Sequence, residues 1–374
     1  MQTRREMLAA LGVAALGQTA PASPVAVARC RSYDEDILGL LGKMCDQVGG
    51  LGRLVANKTV TVKLNMTGSP DVRFQGRPLG TTHYSHPKTV GAMATLLDRA
   101  GARRIRFVES GWAASGPLEE YLLDAGWNVR ALKNAAKDVE FINTNVIGAA
   151  KKYARMKVPG GGLIFPAYEL HPAYSETDVF VSMAKLKNHA VCGVTLSMKN
   201  IFGITPASIY GDDAGVDEPN ETPGRGRESV CHAGRRAPSK IALPERDPES
   251  PRSPFYRMPR VVAELNLTRP VHLAFIDGVE TIAGGEGPWV RGIEHLKPGL
   301  LILGTNAVST DTVAAALMGY NPRASRGAAP FERCDNSLLL AEQLGVGSAD
   351  LARIEVRGLS IAEGRFPFPN AIRG

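Results

Sequence analysis

The sequence has few cysteines, and none of them are clustered. Cys30, Cys45, Cys192, Cys231 and Cys334 include no C-x-x-C pair. Zinc ribbons and cysteine-bound iron–sulfur clusters need closely spaced cysteines, so the sequence disfavours both. In an oxidising compartment one pair could form a disulfide, and the odd number leaves at least one thiol unpaired. Cysteine therefore does not organise this fold.

Long apolar runs and long basic runs are also lacking. After the N-terminal segment, no stretch is long and apolar enough to span a membrane, and no run of Lys and Arg has the length of a nucleic-acid-binding tail. The 374 residues carry a formal net charge of +7. This modest surplus fits an anionic small molecule, so we expect that class of partner and no nucleic acid.

Residues 1–28 have the pattern of a twin-arginine export signal. Arg4 and Arg5 precede a weakly hydrophobic run over 7–17 that carries no charge and is too short to cross a bilayer. Small residues at Ala26 and Ala28 predict cleavage after Ala28. We therefore expect the twin-arginine export machinery to deliver a folded protein to the periplasm or outside the cell. No membrane anchor is expected after cleavage.

Strand and helix patterns alternate through the rest of the chain. Residues 60–64 and 105–108 predict strands, and the apolar spacing over 87–100 predicts a crossover helix between them. Further strands are expected at 178–182, 272–276 and 300–303, and further helices at 259–265, 310–318 and 336–344. The sequence predicts one α/β domain over residues 29–374, with a mixed or mostly parallel sheet flanked by helices.

Residues 212–260 break this alternation. They contain eight prolines, with nine acidic residues against nine Lys and Arg, and little apolar content. Two interpretations of this insertion are open. Since its charges cancel, it is a solvated loop, or it forms a cover over a neighbouring site.

Polar residues follow the first predicted strand and precede the first crossover helix. Lys63 and Asn65 point the same way at the carboxyl end of the strand, where open α/β sheets bind ligands. His86 precedes Pro87 at the helix start, where free backbone amides can meet an anion. A surface lysine and a simple helix cap are the alternative explanations.

A denser group of polar residues lies within sixteen residues. It comprises Lys185, Lys187, His189, Lys199 and Asn200. Apolar residues alternate with these side chains, which favours a lined pocket over a solvated basic edge, and buried lysines need a counter-anion. We therefore predict a pocket for a carboxylate or phosphate.

Three carboxylates complete the candidate site. Glu109 and Asp277 each end a predicted strand, and Glu286 lies in a glycine-rich turn. We predict Glu109, Asp277, Lys187 and His189 as catalytic residues, with His189 as the acid or base. The carboxylates could instead bind a metal or form buried ion pairs.

Several ordered motifs together resemble the domain of unknown function 362 family over about residues 60–322. They are Lys63-Leu64-Asn65, Ser85-His86-Pro87, Lys185-Leu186-Lys187-Asn188-His189, Lys199-Asn200-Ile201-Phe202-Gly203, Ile276-Asp277-Gly278 and Glu286-Gly287-Pro288. The resemblance implies an α/β domain of bacteria and archaea without an assigned reaction. Some members carry a ferredoxin-like iron–sulfur segment, which this chain lacks the clustered cysteines to form.

Three functions fit these residues. The first is an exported enzyme that binds an anionic small molecule through Lys63, Asn65, His86, Lys185, Lys199, Asn200 and Glu286. The second is a periplasmic binding protein without catalysis. The third is a redox or racemase-like protein with a mononuclear metal and no iron–sulfur cluster. The sequence identifies neither the metal nor the substrate.

Overall fold

The computed structural model describes residues 19–370. The described strands, numbered in chain order, are β1 (Val25–Arg29), β2 (Thr59–Lys63), β3 (Arg104–Glu109), β4 (Val139–Asn143), β5 (Ala154–Lys157), β6 (Ala167–Leu170), β7 (Val179–Lys185), β8 (Asn188–His189), β9 (Gly193–Val194), β10 (Leu273–Gly278), β11 (Thr281–Ala283), β12 (Glu294–Leu296), β13 (Leu300–Gly304) and β14 (Val356–Gly358).

Eight of these strands form one sheet in the order β14-β1-β13-β10-β7-β2-β3-β4. The neighbours of β13 run antiparallel to it, and the other five pairings are parallel. The prediction of an α/β fold with a mixed, mostly parallel sheet is confirmed. The carboxyl ends of β2, β3 and β7 lie side by side in this arrangement.

Helices cover both faces of the sheet. The described α-helices, numbered in chain order, are α1 (Ile37–Gln47), α2 (Gly52–Val55), α3 (Pro87–Arg99), α4 (Leu118–Asp124), α5 (Val129–Lys133), α6 (Pro172–Ser175), α7 (Leu196–Asn200), α8 (Ala207–Tyr210), α9 (Pro254–Thr268), α10 (Ala307–Leu317), α11 (Ser337–Gln343) and α12 (Ile361–Gly364). Buried side chains form two clusters, and alternate residues of one strand enter different ones. Leu301 and Leu303 belong to one cluster, Leu300 and Ile302 to the other. A sheet buried on both faces explains why its strands read as continuous apolar runs.

The predicted elements are found within a few residues of their expected positions. The strand and helix of the first crossover are β2, α3 and β3, and the later strands are β7, β10 and β13. The helix predicted at 259–265 is longer, because it begins at Pro254 and runs through Pro259 to Thr268. Proline at the first helical position loses no intrahelical hydrogen bond, which makes Pro254 a natural start.

The position of β1 can be compared with the cleavage site predicted after Ala28. β1 pairs with β13 and β14, and Val25, Ala26 and Val27 are buried. A cut after Ala28 would remove four of the five residues of β1, whereas a cut before Val25 would leave the strand whole. The twin-arginine pattern itself lies outside the described residues and stays a prediction. In residues 19–370, no helix has the length and apolar character needed to cross a membrane.

The insertion predicted at 212–260 is irregular up to α9, apart from one turn of π-helix at Glu228–His232. It is fastened by side-chain hydrogen bonds to its own backbone. Arg236 donates to the Asp212 carbonyl at 2.7 Å, and the Gly224 N–H donates to Asp213 at 2.8 Å. Val230 and Cys231 within it are fully buried. The insertion therefore packs onto the domain, contrary to the interpretation as a solvated loop.

All five cysteines are buried and free.

Candidate functional site

A cavity of about 700 Å³ opens beside the carboxyl ends of β2, β3 and β7. Its walls are contributed by residues in the ranges 63–72, 109–112, 189–203 and 212–235, together with Pro254, Glu286 and Trp289. The position follows the general rule that open α/β sheets bind ligands at the carboxyl ends of their strands. The insertion provides one wall, as the interpretation as a cover predicts.

A buried ion pair joins the ends of β2 and β3. Lys63 donates a short hydrogen bond to Glu109, and the same carboxylate accepts the backbone N–H groups of Met66 and Ser110 at 2.9 Å. Burial is the largest effect on both groups: it lowers the pKa of Lys63 and raises the pKa of Glu109, while their mutual attraction opposes both shifts. The two charges cancel, so this pair leaves no net charge for a ligand.

A glycine makes room for this ion pair. A Cβ atom on Gly203 would lie 2.8 Å from Lys63 Nζ, closer than real Cβ contacts allow. Gly203 ends the Lys199-Asn200-Ile201-Phe202-Gly203 motif. This close approach explains why position 203 of the motif is a glycine, because any side chain there would displace Lys63.

Two further cations of the cavity, Lys199 and Arg227, are partly buried and have no carboxylate partner, whereas the third, Arg235, is exposed. Lys199 Nζ lies 4.5 Å from the centroid of the Phe202 ring, and Arg227 Cζ lies 6.0 Å from the same centroid. Arg227 donates to the carbonyls of Thr205 at 2.7 Å and Ser110 at 3.1 Å. Within residues 19–370, neither cation has an Asp or Glu oxygen within 4.0 Å. Burial lowers the pKa of both, to about 8 for Lys199.

His189 lines the cavity as a neutral side chain. Burial lowers its pKa to about 3 against the attraction of Glu286, and Lys199 and Lys187 add to the lowering. Its Nδ1 accepts the Val191 N–H at 3.1 Å. A neutral imidazole whose Nδ1 accepts a hydrogen bond carries its proton on Nε2. His189 therefore offers its Nε2–H as a hydrogen-bond donor at neutral pH.

Glu286 is satisfied by groups other than His189. Its carboxylate accepts the Ala190 N–H at 2.9 Å and the Trp289 indole N–H at 3.3 Å, whereas its distance to His189 Nδ1 is 3.7 Å. The second histidine of the cavity, His232, has a pKa lowered well below its usual value by burial and by the nearby Lys199. Both histidines are thus neutral.

The two asparagines of the predicted site bond to each other. Asn65 Nδ2 donates to Asn200 Oδ1 at 3.0 Å, and Asn200 Nδ2 donates to Ser182 Oγ at 3.0 Å. Both asparagines line the cavity. Asn65 Oδ1 is buried without a hydrogen-bond partner among the described residues, so a ligand donor could bond to it.

Three predicted site residues lie together outside the cavity wall. Lys185 Nζ bonds to Asp277 at 3.0 Å, to the Tyr33 hydroxyl at 2.7 Å and to the Gly80 carbonyl at 2.6 Å. His86 stacks on Tyr33 with ring centroids 3.5 Å apart. Lys185 and Asp277 are almost completely buried and satisfy each other. The alternative of a buried ion pair, considered from the sequence, describes them better than a catalytic role.

Lys187 also lies behind the wall. Its ammonium donates to the carbonyls of His83 at 2.9 Å and Glu286 at 3.0 Å. Burial lowers its pKa to about 7. Through these two hydrogen bonds Lys187 joins the segment before α3 to the turn at Glu286. Lys187 therefore holds the cavity wall in position and does not face a ligand. His86 has a comparable local role: it caps α3 by accepting the Lys88 N–H at 3.2 Å.

The cavity residues that were not predicted from the sequence include five with large side chains: Trp112, Phe202, Arg227, His232 and Trp289. Arg227 and His232 belong to the insertion. Because the charges of the insertion cancel, its residues were interpreted as a solvated loop and were not considered for the site. A tryptophan three residues after a strand-terminal Glu, as in Trp112, was an available signal. Groups of three or more His, Cys, Asp or Glu placed to hold a metal ion do not occur within residues 19–370.

A family model described as "Domain of unknown function (DUF362)" matches residues 60–316, which extend from β2 into α10 and include every wall of the cavity. None of the curated proteins matches the sequence.

Proposed function

The chain belongs to the DUF362 family, and we propose that its cavity binds a small anionic molecule through Lys199 and Arg227. One observation carries this proposal. Both side chains are cations that burial destabilises, and neither has a carboxylate partner in the described part of the chain. Because a partly buried charge without a carboxylate oxygen within 4.0 Å is costly, a bound anion is the natural counter-charge.

Other groups of the cavity suit the same ligand. Arg227 has a planar guanidinium, which favours bidentate bonding to carboxylate or phosphate. The neutral His189 offers a further N–H donor. Lys63 is already neutralised by Glu109. The proposed anion therefore binds at Lys199 and Arg227, on the Phe202 side of the cavity.

We propose that the protein is an enzyme in which Lys199 transfers a proton to or from the bound anion. A general acid or base works best when its pKa is near the operating pH. The pKa of about 8 places Lys199 in that range, while His189, with a pKa of about 3, lies far below it. The proposed roles thus differ from the sequence prediction: Lys199 moves the proton, His189 donates a hydrogen bond, and Asp277 is structural.

The binding test uses titration calorimetry with acetate and with inorganic phosphate at pH 7. Lys199→Met and Arg227→Met each remove one charge-assisted contact, worth about 1.5–3 kcal/mol, so each should weaken binding about tenfold or more. Lys240→Met is the matched control, because Lys240 is an exposed lysine of the insertion that pairs with Asp217. Unchanged affinity in both cavity variants would contradict the proposal.

A non-catalytic binding protein is the second candidate, favoured by the two neutral histidines, which leave few groups ready for proton transfer. Deuterium exchange separates the two functions. In an enzyme of the proposed type, the neutral form of Lys199 takes a proton from the carbon next to the carboxyl group while Arg227 holds the carboxylate. The resulting ammonium exchanges its proton with D2O and returns a deuteron to the same carbon, and Lys199→Met abolishes this exchange. Binding of a set of 2-substituted carboxylates with no exchange into any of them supports the second candidate.

We also propose that the protein is exported by the twin-arginine route. The two arginines and the short uncharged run support this proposal. Replacing Arg4 and Arg5 together by lysine should retain the protein in the cytoplasm. Export of that variant at the rate of the unchanged protein would contradict it.

A further inference from the structure

Two of the three tryptophans of the sequence are exposed, and both line the cavity. Trp112 is 48% exposed and Trp289 is 46% exposed, whereas Trp127 is buried. Val72, which is 39% exposed, lines the same opening. Large exposed apolar side chains that gather at one place mark a binding surface. Here they mark the point where the cavity meets solvent.

Both indole rings are held in place by the protein. The Trp289 ring packs so closely on Gly68 and Gly287 that neither position has room for a side chain. Its N–H donates to Glu286 at 3.3 Å, and its ring meets the edge of His83 with centroids 5.8 Å apart. A ligand that stacks on this indole does not have to order it, which reduces the entropy cost of binding.

Trp112 is fixed against the insertion. A Cβ atom on Gly226 would lie 2.9 Å from Trp112 Nε1, so this glycine lets the insertion approach the indole. Gly226 directly precedes Arg227, one of the two partly buried cavity cations without a carboxylate partner. The packing of Trp112 on the insertion therefore links the apolar opening to the cationic part of the cavity.

We infer that the ligand carries a flat aromatic ring in addition to its anionic group, with the ring on the indoles and the anion at Lys199 and Arg227. This inference rests on the proposed anion site and names its substrate class. A cavity of about 700 Å³ is in the size range of pockets for drug-sized ligands and far larger than acetate or phosphate needs. Aromatic rings stack favourably on indole faces.

The test compares three carboxylates by titration calorimetry: 2-naphthoate, galacturonate and acetate. Galacturonate carries the same charge on a sugar ring, and acetate carries it alone. We expect 2-naphthoate to bind at least tenfold more tightly than the other two. Trp289→Ala and Trp112→Ala should each weaken 2-naphthoate about tenfold and leave acetate unchanged. Val216→Ala, at an exposed apolar residue away from the cavity, is the matched control and should change neither affinity.

The outcomes separate this inference from the proposed function. If acetate and 2-naphthoate bind equally and both require Lys199, the anion site stands and the aromatic ligand class is overturned. If galacturonate binds most tightly, a sugar acid replaces the aromatic anion and the inference is wrong. If none of the three carboxylates binds, the proposed anion site itself fails, and this inference fails with it.

Discussion

Anion affinity should fall as pH rises through the pKa of Lys199. Burial lowers that pKa to about 8; Cys192 and Glu286 oppose the shift, and Arg227 and Lys63 add to it. Since the pKa is lowered, the positive charge is present below about pH 8 and is lost above it. A pKa of about 8 leaves about 90% of Lys199 charged at pH 7, half at pH 8 and about 10% at pH 9.

These fractions set the size of the effect. If the anion binds the charged form, its affinity should drop about tenfold between pH 7 and pH 9, which corresponds to about 1.4 kcal/mol. At pH 8 each bound anion should take up about half a proton, because binding favours the charged lysine. Acetate suits this experiment, since its carboxylate stays ionised over the whole range and adds no titration of its own.

The assay is titration calorimetry of acetate in pairs of buffers with different ionisation enthalpies. The dependence of the measured heat on buffer gives the proton uptake directly. Lys199→Met should bind more weakly, without the loss of affinity above pH 8 and without the half-proton uptake. The Lys240→Met control should behave as the unchanged protein. If Lys199→Met keeps the pH profile of the unchanged protein, another group is responsible and the role of Lys199 is refuted.

Three stability predictions follow from the same structure. Gly203→Val should destabilise the fold by about 1–3 kcal/mol in urea denaturation, because its side chain overpacks the buried ion pair; an unchanged midpoint would contradict the close approach. Lys185→Met leaves the buried Asp277 carboxylate without its cation and should cost about 3–5 kcal/mol, and adding Asp277→Asn should recover part of it; a double variant no more stable than the single one would count against the pairing. Deleting residues up to Ala28 should lower the melting temperature far more than deleting residues up to Ser23, and equal melting temperatures would show that β1 is dispensable.

Much of the fold could be predicted because the local hydrophobic patterns of the sequence favour the same strands and helices that tertiary packing stabilises. The strands β7, β10 and β13 are short apolar runs, which a sheet buried on both faces requires, and β2 and β3 contain the β-branched and aromatic residues typical of strands. β1 was missed because Val25–Arg29 has small residues that also suit a signal peptidase site. Its place in the sheet is set by partners far along the chain, which no local pattern reveals.

The candidate site could be predicted in part for a similar reason. Position at the end of a strand identified Lys63 and Glu109, which do meet. The same rule placed Asp277 in the site, yet Asp277 pairs with Lys185 behind the wall. Strand position gives the edge of the sheet where a side chain lies, but only packing decides whether it faces the cavity. Arg227 lies in a segment without periodicity, so its position depended entirely on tertiary contacts.

The pairing of β1 also determines how late in synthesis this strand can enter the sheet. β1 is synthesised first, but Val25 pairs with Gly304 in β13 and with Val356 in β14. The ribosome must therefore produce most of the chain before the first strand has a neighbour. During that time β1 is an apolar segment with unsatisfied backbone groups, the kind of segment that chaperones bind and that promotes aggregation.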